Sequence, residues 1–162
     1  MIKKSMKHKI GYVITILAVA LVSAVGGGIT DKGMIWYEEL NLPSFTPPGS
    51  FIGIVWTIIF LLSVVSIILF LRHNKEKKEL RFNTIIIFLI LNGLLNIGWS
   101  LLFFGQGLIL LSIIEMCALN LVNLILIILL WQENKLSSIL FWPYFLWVSF
   151  ATYLAYSIYL LN

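Results

Sequence analysis

Five runs of largely apolar residues, at about 10–28, 49–71, 82–104, 108–131 and 139–161, constrain this chain more than any other feature. Each approaches or exceeds the roughly 20 residues that a helix needs to cross a bilayer. Within hydrocarbon every backbone N–H and C=O must be paired inside the protein, so such runs become helices. The expected fold is all-α: one five-helix membrane domain spanning 1–162. Charged residues make up only 11% of the chain, against about a quarter in a water-soluble domain. A pI near 9.3 would suit a nucleic-acid binder, but the basic residues flank the spans, so the charge is read as topology and no nucleic-acid partner is expected. Ten of the eleven basic residues fall on one side of a five-span topology, and only Lys32 falls on the other. The positive-inside rule then places the N-terminus in the cytoplasm and the C-terminus outside, across a cytoplasmic membrane.

The basic start and the apolar stretch after Lys9 resemble a secretory signal, but the run is longer than a signal core and is read as the first span. Gly26, Gly27 and Gly28 are expected to end it, because consecutive glycines are poor helix formers. Residues 29–47 are expected to be a structured loop, folded as a lid over the outer end, with Trp36, Tyr37 and Leu40 on its apolar side. Pro43, Pro47 and Pro48 cannot lie inside a helix, yet they suit a helix entrance, where the first N–H groups have no intrahelical partner. The second helix should therefore begin near Pro48 and carry Trp56 about two turns in. Gly49 and Gly53 form a weak helix-contact motif.

Polar residues inside spans need a reason. Asn92, Asn96, Trp99 and Phe103 recur on one face of span 3, and Tyr144, Trp147, Ala151, Ala155 and Ile158 share a face of span 5. Glu115 is an acid well inside span 4, either a functional carboxylate facing a ligand or a hydrogen-bonded acid joining helices. Asn120 and Asn123 are read as making interhelical hydrogen bonds, Trp131 and Trp142 as an inner aromatic belt, and Tyr156 and Tyr159 as outer anchors. Cys117 stands alone, and His8 and His73 lie outside the spans, so neither a disulfide nor a metal site is expected. No pattern for hydrolytic catalysis is present. What remains is aromatic. Trp36, Tyr37, Trp56, Trp99 and Trp147 can converge beneath the lid around a large, flat, mostly apolar ligand.

Trp36-Tyr37, then Leu42-Pro43-Ser44-Phe45-Thr46-Pro47-Pro48-Gly49, then Trp56, resemble the first-loop and second-helix signature of the TspO/MBR family. Its members are also called tryptophan-rich sensory proteins, translocator proteins or peripheral benzodiazepine receptors. Asn96-Ile97-Gly98-Trp99-Ser100-Leu101-Leu102-Phe103-Phe104 is similar to the third-helix motif, and residues 143–154 to the fifth. The resemblance implies a five-helix bundle, commonly a homodimer, with no cofactor required. Its pocket would bind protoporphyrin IX, other tetrapyrroles, and synthetic isoquinoline carboxamide or benzodiazepine ligands. By motif, Tyr37, Trp56, Asn96, Trp99, Trp147 and Ala151 would line that pocket. Some bacterial members promote light- and oxygen-dependent porphyrin breakdown, which would implicate Trp56 and Trp147 as catalytic residues. The readings are thus a receptor or sensor that also moves its ligand, a porphyrin-degrading enzyme, or a purely structural helix–helix partner. Two departures stand out. Phe45 replaces a tryptophan common in the proline-rich segment, and no basic residue follows Lys135, so the C-terminal pattern proposed for sterols is absent.

Overall fold

The computed structural model describes residues 2–73 and 79–162, the side chains of 2–8 and 79 excepted. Lys75, Lys77 and Lys78, like the side chains of Lys3, Lys4, Lys7 and His8, lie outside the described residues. The elements are α1 (Ile2–Glu38), α2 (Gly49–His73), α3 (Glu79–Ser100), a π-helical turn (Leu101–Gly105), α4 (Ile109–Trp131) and α5 (Lys135–Leu161). Five helices are long and apolar enough to cross a membrane. Helix α1 packs on α2 and α3, α2 on α5, α5 on α4 and α4 on α3. The helices therefore close a ring in the order α1–α2–α5–α4–α3.

The largest departure from expectation is in α1. Gly26, Gly27 and Gly28 do not end it; the helix runs on to Glu38, so most of the segment read as a lid is helical. The physical reason is the solvent. Where backbone groups cannot turn to water, breaking the hydrogen-bond ladder costs more than the low helix propensity of glycine. Two of the glycines in this stretch also serve packing. A Cβ on Gly26 would lie 3.3 Å from the Ser100 hydroxyl, and one on Gly33 would fall into the Phe104 backbone. The C-terminal half of α1 thus lies directly on the end of α3 and the π turn.

The connection that remains, residues 39–48, is short and fastened. The Asn41 N–H donates to Asn162 Oδ1 at 3.0 Å, and Asn162 Nδ2 donates back to the Asn41 carbonyl at 3.1 Å. Phe45 stacks on Tyr153 with ring centroids 5.4 Å apart. The Pro43 carbonyl accepts from both the N–H and the hydroxyl of Thr46, forming a turn. Helix α2 begins just after Pro48, as expected, with Ile52 N–H donating to the Pro48 carbonyl. At the other reversal on the same end, Gly107 has φ +67°, a left-handed conformation that favours glycine, and a Cβ there would lie 3.2 Å from the Trp36 ring.

Lipid tails are as apolar as leucine, so helices associate here by packing and by hydrogen bonds. One core, around Phe70, Ile85, Leu126 and Phe141, fills the end nearest the chain's basic residues. A second, around Phe103, Met116, Leu154 and Ile158, fills the other. Asn92 Nδ2 donates to Asn123 Oδ1 at 2.7 Å, and Asn120 Nδ2 to Ser149 Oγ at 2.7 Å, tying α4 to α3 and to α5. The Ser66 hydroxyl donates to the Ser137 carbonyl at 2.7 Å, joining α2 to α5. At the basic end Arg81 pairs with Glu133 at 3.3 Å, and Asn134 caps α5 by accepting from Ser137 N–H. The expected interhelical role of Asn120 and Asn123 is therefore seen directly.

Candidate functional site

Between the two cores lies a cavity of about 460 Å³, inside the range of about 300–1,000 Å³ typical of small-molecule sites. Its walls come from α1, α2, the end of α3 with the π turn, and α5. The sequence reading named seven ligand-facing residues, and six of them line it: Tyr37, Trp56, Asn96, Trp99, Trp147 and Ala151. Helices far apart in sequence bring these side chains together because the ring order sets α1 and α2 opposite α3 and α5.

Glu115 is the seventh, and it does not reach the cavity. It belongs to α4, which stands behind α3 and α5. Its carboxylate is packed against Gly98, where a Cβ would lie 3.7 Å from Oε1, and neither oxygen has a hydrogen-bond partner among the described residues. Trp36 is also off the wall. It meets Phe103 edge-on at 5.5 Å and covers Gly107, so it secures α1 against the π turn instead of touching a ligand. The lid is corrected in the same way: apart from Gly49 at the start of α2, residues after Tyr37 in this region contribute nothing to the wall.

The aromatic geometry is ordered. Trp56 stacks on Trp99 at 5.8 Å with planes 29° apart, and meets Tyr144 edge-on at 5.9 Å. Tyr144 is fixed in turn by Asn96, whose Nδ2 donates to its hydroxyl at 2.8 Å. Asn96 therefore does two things, orienting a buried tyrosine and presenting an amide to the cavity. Asn92, one turn earlier, is committed to Asn123 and is not on the wall. The indole N–H groups of Trp99 and Trp147 are buried without partners among the described residues. Leaving such a donor unsatisfied costs about 1–3 kcal/mol, which marks these two rings for attention.

Sequence reasoning missed the α1 wall. Ser23, Gly26, Gly27, Thr30, Asp31 and Met34 all line the cavity. Their spacing is that of a single helical face, so the signal was present but was hidden by reading residues 29–47 as a loop. On the α1–α2 side the cavity is open. Ser23, Gly27 and Asp31 on one helix, and Gly53 and Thr57 on the other, both line it and are exposed outside. A Cβ at Gly27, Gly49 or Gly53 would meet nothing within 4 Å. The Gly49/Gly53 pair therefore borders a mouth and does not hold a helix.

Five membrane helices close a ring, and four of them wall an aromatic cavity that opens between the first two; this defines a helical membrane protein with an internal pocket. The chain belongs to the TspO/MBR family, whose sequence profile matches residues 14–161. It is 34% identical over 128 residues to the tryptophan-rich protein TspO of Bacillus cereus, covering 78% of this chain and 80% of that one. It is 32% identical over 156 residues to the tryptophan-rich protein TspO of Archaeoglobus fulgidus, covering 93% and 95%. It is 28% identical over 154 residues to protein CrtK of Rhodobacter capsulatus, covering 92% and 94% of the two chains. It is an integral membrane protein.

Proposed function

We propose that this chain is a membrane receptor that binds a tetrapyrrole such as protoporphyrin IX in the α1–α2–α3–α5 cavity. The observation that carries the reading is the convergence of Tyr37, Trp56, Trp99 and Trp147 with the Asn96 amide on one cavity. Aromatic faces hold a flat conjugated ring through area and through quadrupole contacts, each pair adding about 0.5–1.5 kcal/mol beyond burial. Synthetic isoquinoline carboxamide and benzodiazepine ligands suit the same wall. The reading extends to a homodimer and to handing the ligand on, as the family resemblance implies. The asparagines that would serve a purely structural partner are engaged within the bundle, which favours the receptor reading.

Titration with protoporphyrin IX should quench tryptophan fluorescence saturably, and Trp147→Ala should weaken binding about tenfold, the loss of roughly 1.4 kcal/mol. Identical, non-saturating curves for wild type and variant would reject the assignment. A second reading, light- and oxygen-dependent porphyrin degradation, draws support from the oxidisable Trp56 and Trp147 on the wall, Trp56 being stacked on Trp99. Its test is product formation under light that requires both Trp56 and Trp147. Equal porphyrin loss in protein-free detergent would dismiss it.

A further inference from the structure

The cavity wall is uncharged with one exception. Among the described lining residues no lysine, arginine, histidine or glutamate occurs, and Asp31 is the sole carboxylate. It sits on the α1 side of the mouth, on the same helical face as Gly27, Thr30 and Met34. No ion pair or side-chain hydrogen bond engages it among the described residues. The adjacent Lys32 points about 100° further round the helix and is not on the wall. The nearby acids Glu38 and Glu39 are exposed and also off it. An unbalanced charge at the rim of a low-dielectric cavity sets a field that reaches inside, because apolar walls focus it instead of screening it.

We propose that Asp31 is a specificity-determining residue of this cavity. It disfavours ligands that bring a carboxylate to the α1 wall and favours those that bring a cationic or hydrogen-bond-donating substituent there. The proposal rests on the tetrapyrrole reading and refines it: the ring system is chosen by the tryptophans, its substituents by Asp31. The mouth is open, so the effect weakens as salt is added.

The test holds the ring constant and varies the charge. Purified protein in uncharged detergent at low salt is titrated with protoporphyrin IX, with its dimethyl ester, and with a diamide whose arms end in ammonium groups. Wild-type affinity should rise in that order, by about tenfold from the diacid to the dication. Asp31→Asn, an isosteric change at an exposed and unpaired position, should remove most of that spread and leave the ester within about twofold of wild type. Glu39→Gln should keep the wild-type order, which separates the wall from general surface charge. Equal discrimination by wild type and Asp31→Asn overturns the assignment, as does an equally large effect of Glu39→Gln. Saturable binding of none of the three ligands rejects the tetrapyrrole reading, and this proposal with it.

Discussion

Replacing Gly33 by alanine strikes the contact that holds the C-terminal half of α1 in place. The new Cβ would lie 2.7 Å from both the carbonyl carbon and the Cβ of Phe104, and closer still to the Phe104 carbonyl oxygen. Backbone cannot rotate away as a side chain can, so α1 must move off the π turn. Overpacking of this kind costs typically about 1–3 kcal/mol, offset in part by about 0.5–1 kcal/mol gained in helix propensity. A net loss of about 1 kcal/mol should lower the melting midpoint by about 2–4 °C in a chain of this size. Ligand affinity should fall as well, since Thr30, Met34 and Tyr37 move with α1. Gly28→Ala is the matched control. Nothing lies within 4 Å of a Cβ there, so it should gain the propensity term alone and melt about 1–4 °C higher. Far-UV circular dichroism melts in detergent, with porphyrin quenching on the same samples, measure both. Wild-type melting and binding in Gly33→Ala would refute the packing of α1 on the π turn. A lowered midpoint in Gly28→Ala would show that the glycine triplet is a break after all.

Asn92→Leu and Asn123→Leu, measured singly and together, should show a coupling of about 0.6 kcal/mol and at most about 1.7, the range for hydrogen bonds between membrane helices; strict additivity in unfolding titrations would mean that the 2.7 Å contact contributes nothing. In Cys117→Ser carrying Lys32→Cys, an impermeant maleimide should label the new thiol from outside intact cells and not from the cytoplasmic face, as the charge distribution requires. Labelling from the cytoplasmic face alone would invert the topology.

How much of this was legible in the sequence depended on which signal dominated locally. Spans 2 to 5 lie within four residues of the helices found, because in each case hydropathy and the flanking proline, glycine or charged residues agree. Span 1 conflicted. Glycine chemistry learned in water argued for a stop at residues 26–28, while the membrane, which penalises any broken backbone bond, argued for continuation and prevailed. That single error produced the lid and concealed the α1 wall. The aromatic site residues were legible because they fall in spaced motifs on helical faces. Glu115 was misplaced for a different reason: burial depth can be counted along a helix, but which neighbour the helix faces is fixed only by the order of helices in the ring. The π turn at Leu101–Gly105 had no counterpart in the sequence reading; it carries Phe103 and Phe104, both in ring contact with Tyr37.

Helix α4 never meets the cavity, yet it carries Met116, Leu119, Leu126 and Leu130 in the core and the amide contacts to both α3 and α5. It works as a spacer, setting how far apart two of the cavity's walls stand. A ligand that is a rigid plane tolerates little error in that separation, so substitutions on the inner face of α4 should alter fit without ever touching the guest. The exposed Cys117 stands beside Asn120 and Ser149 in the groove between α4 and α5. It offers one native thiol from which a reporter can follow that spacing.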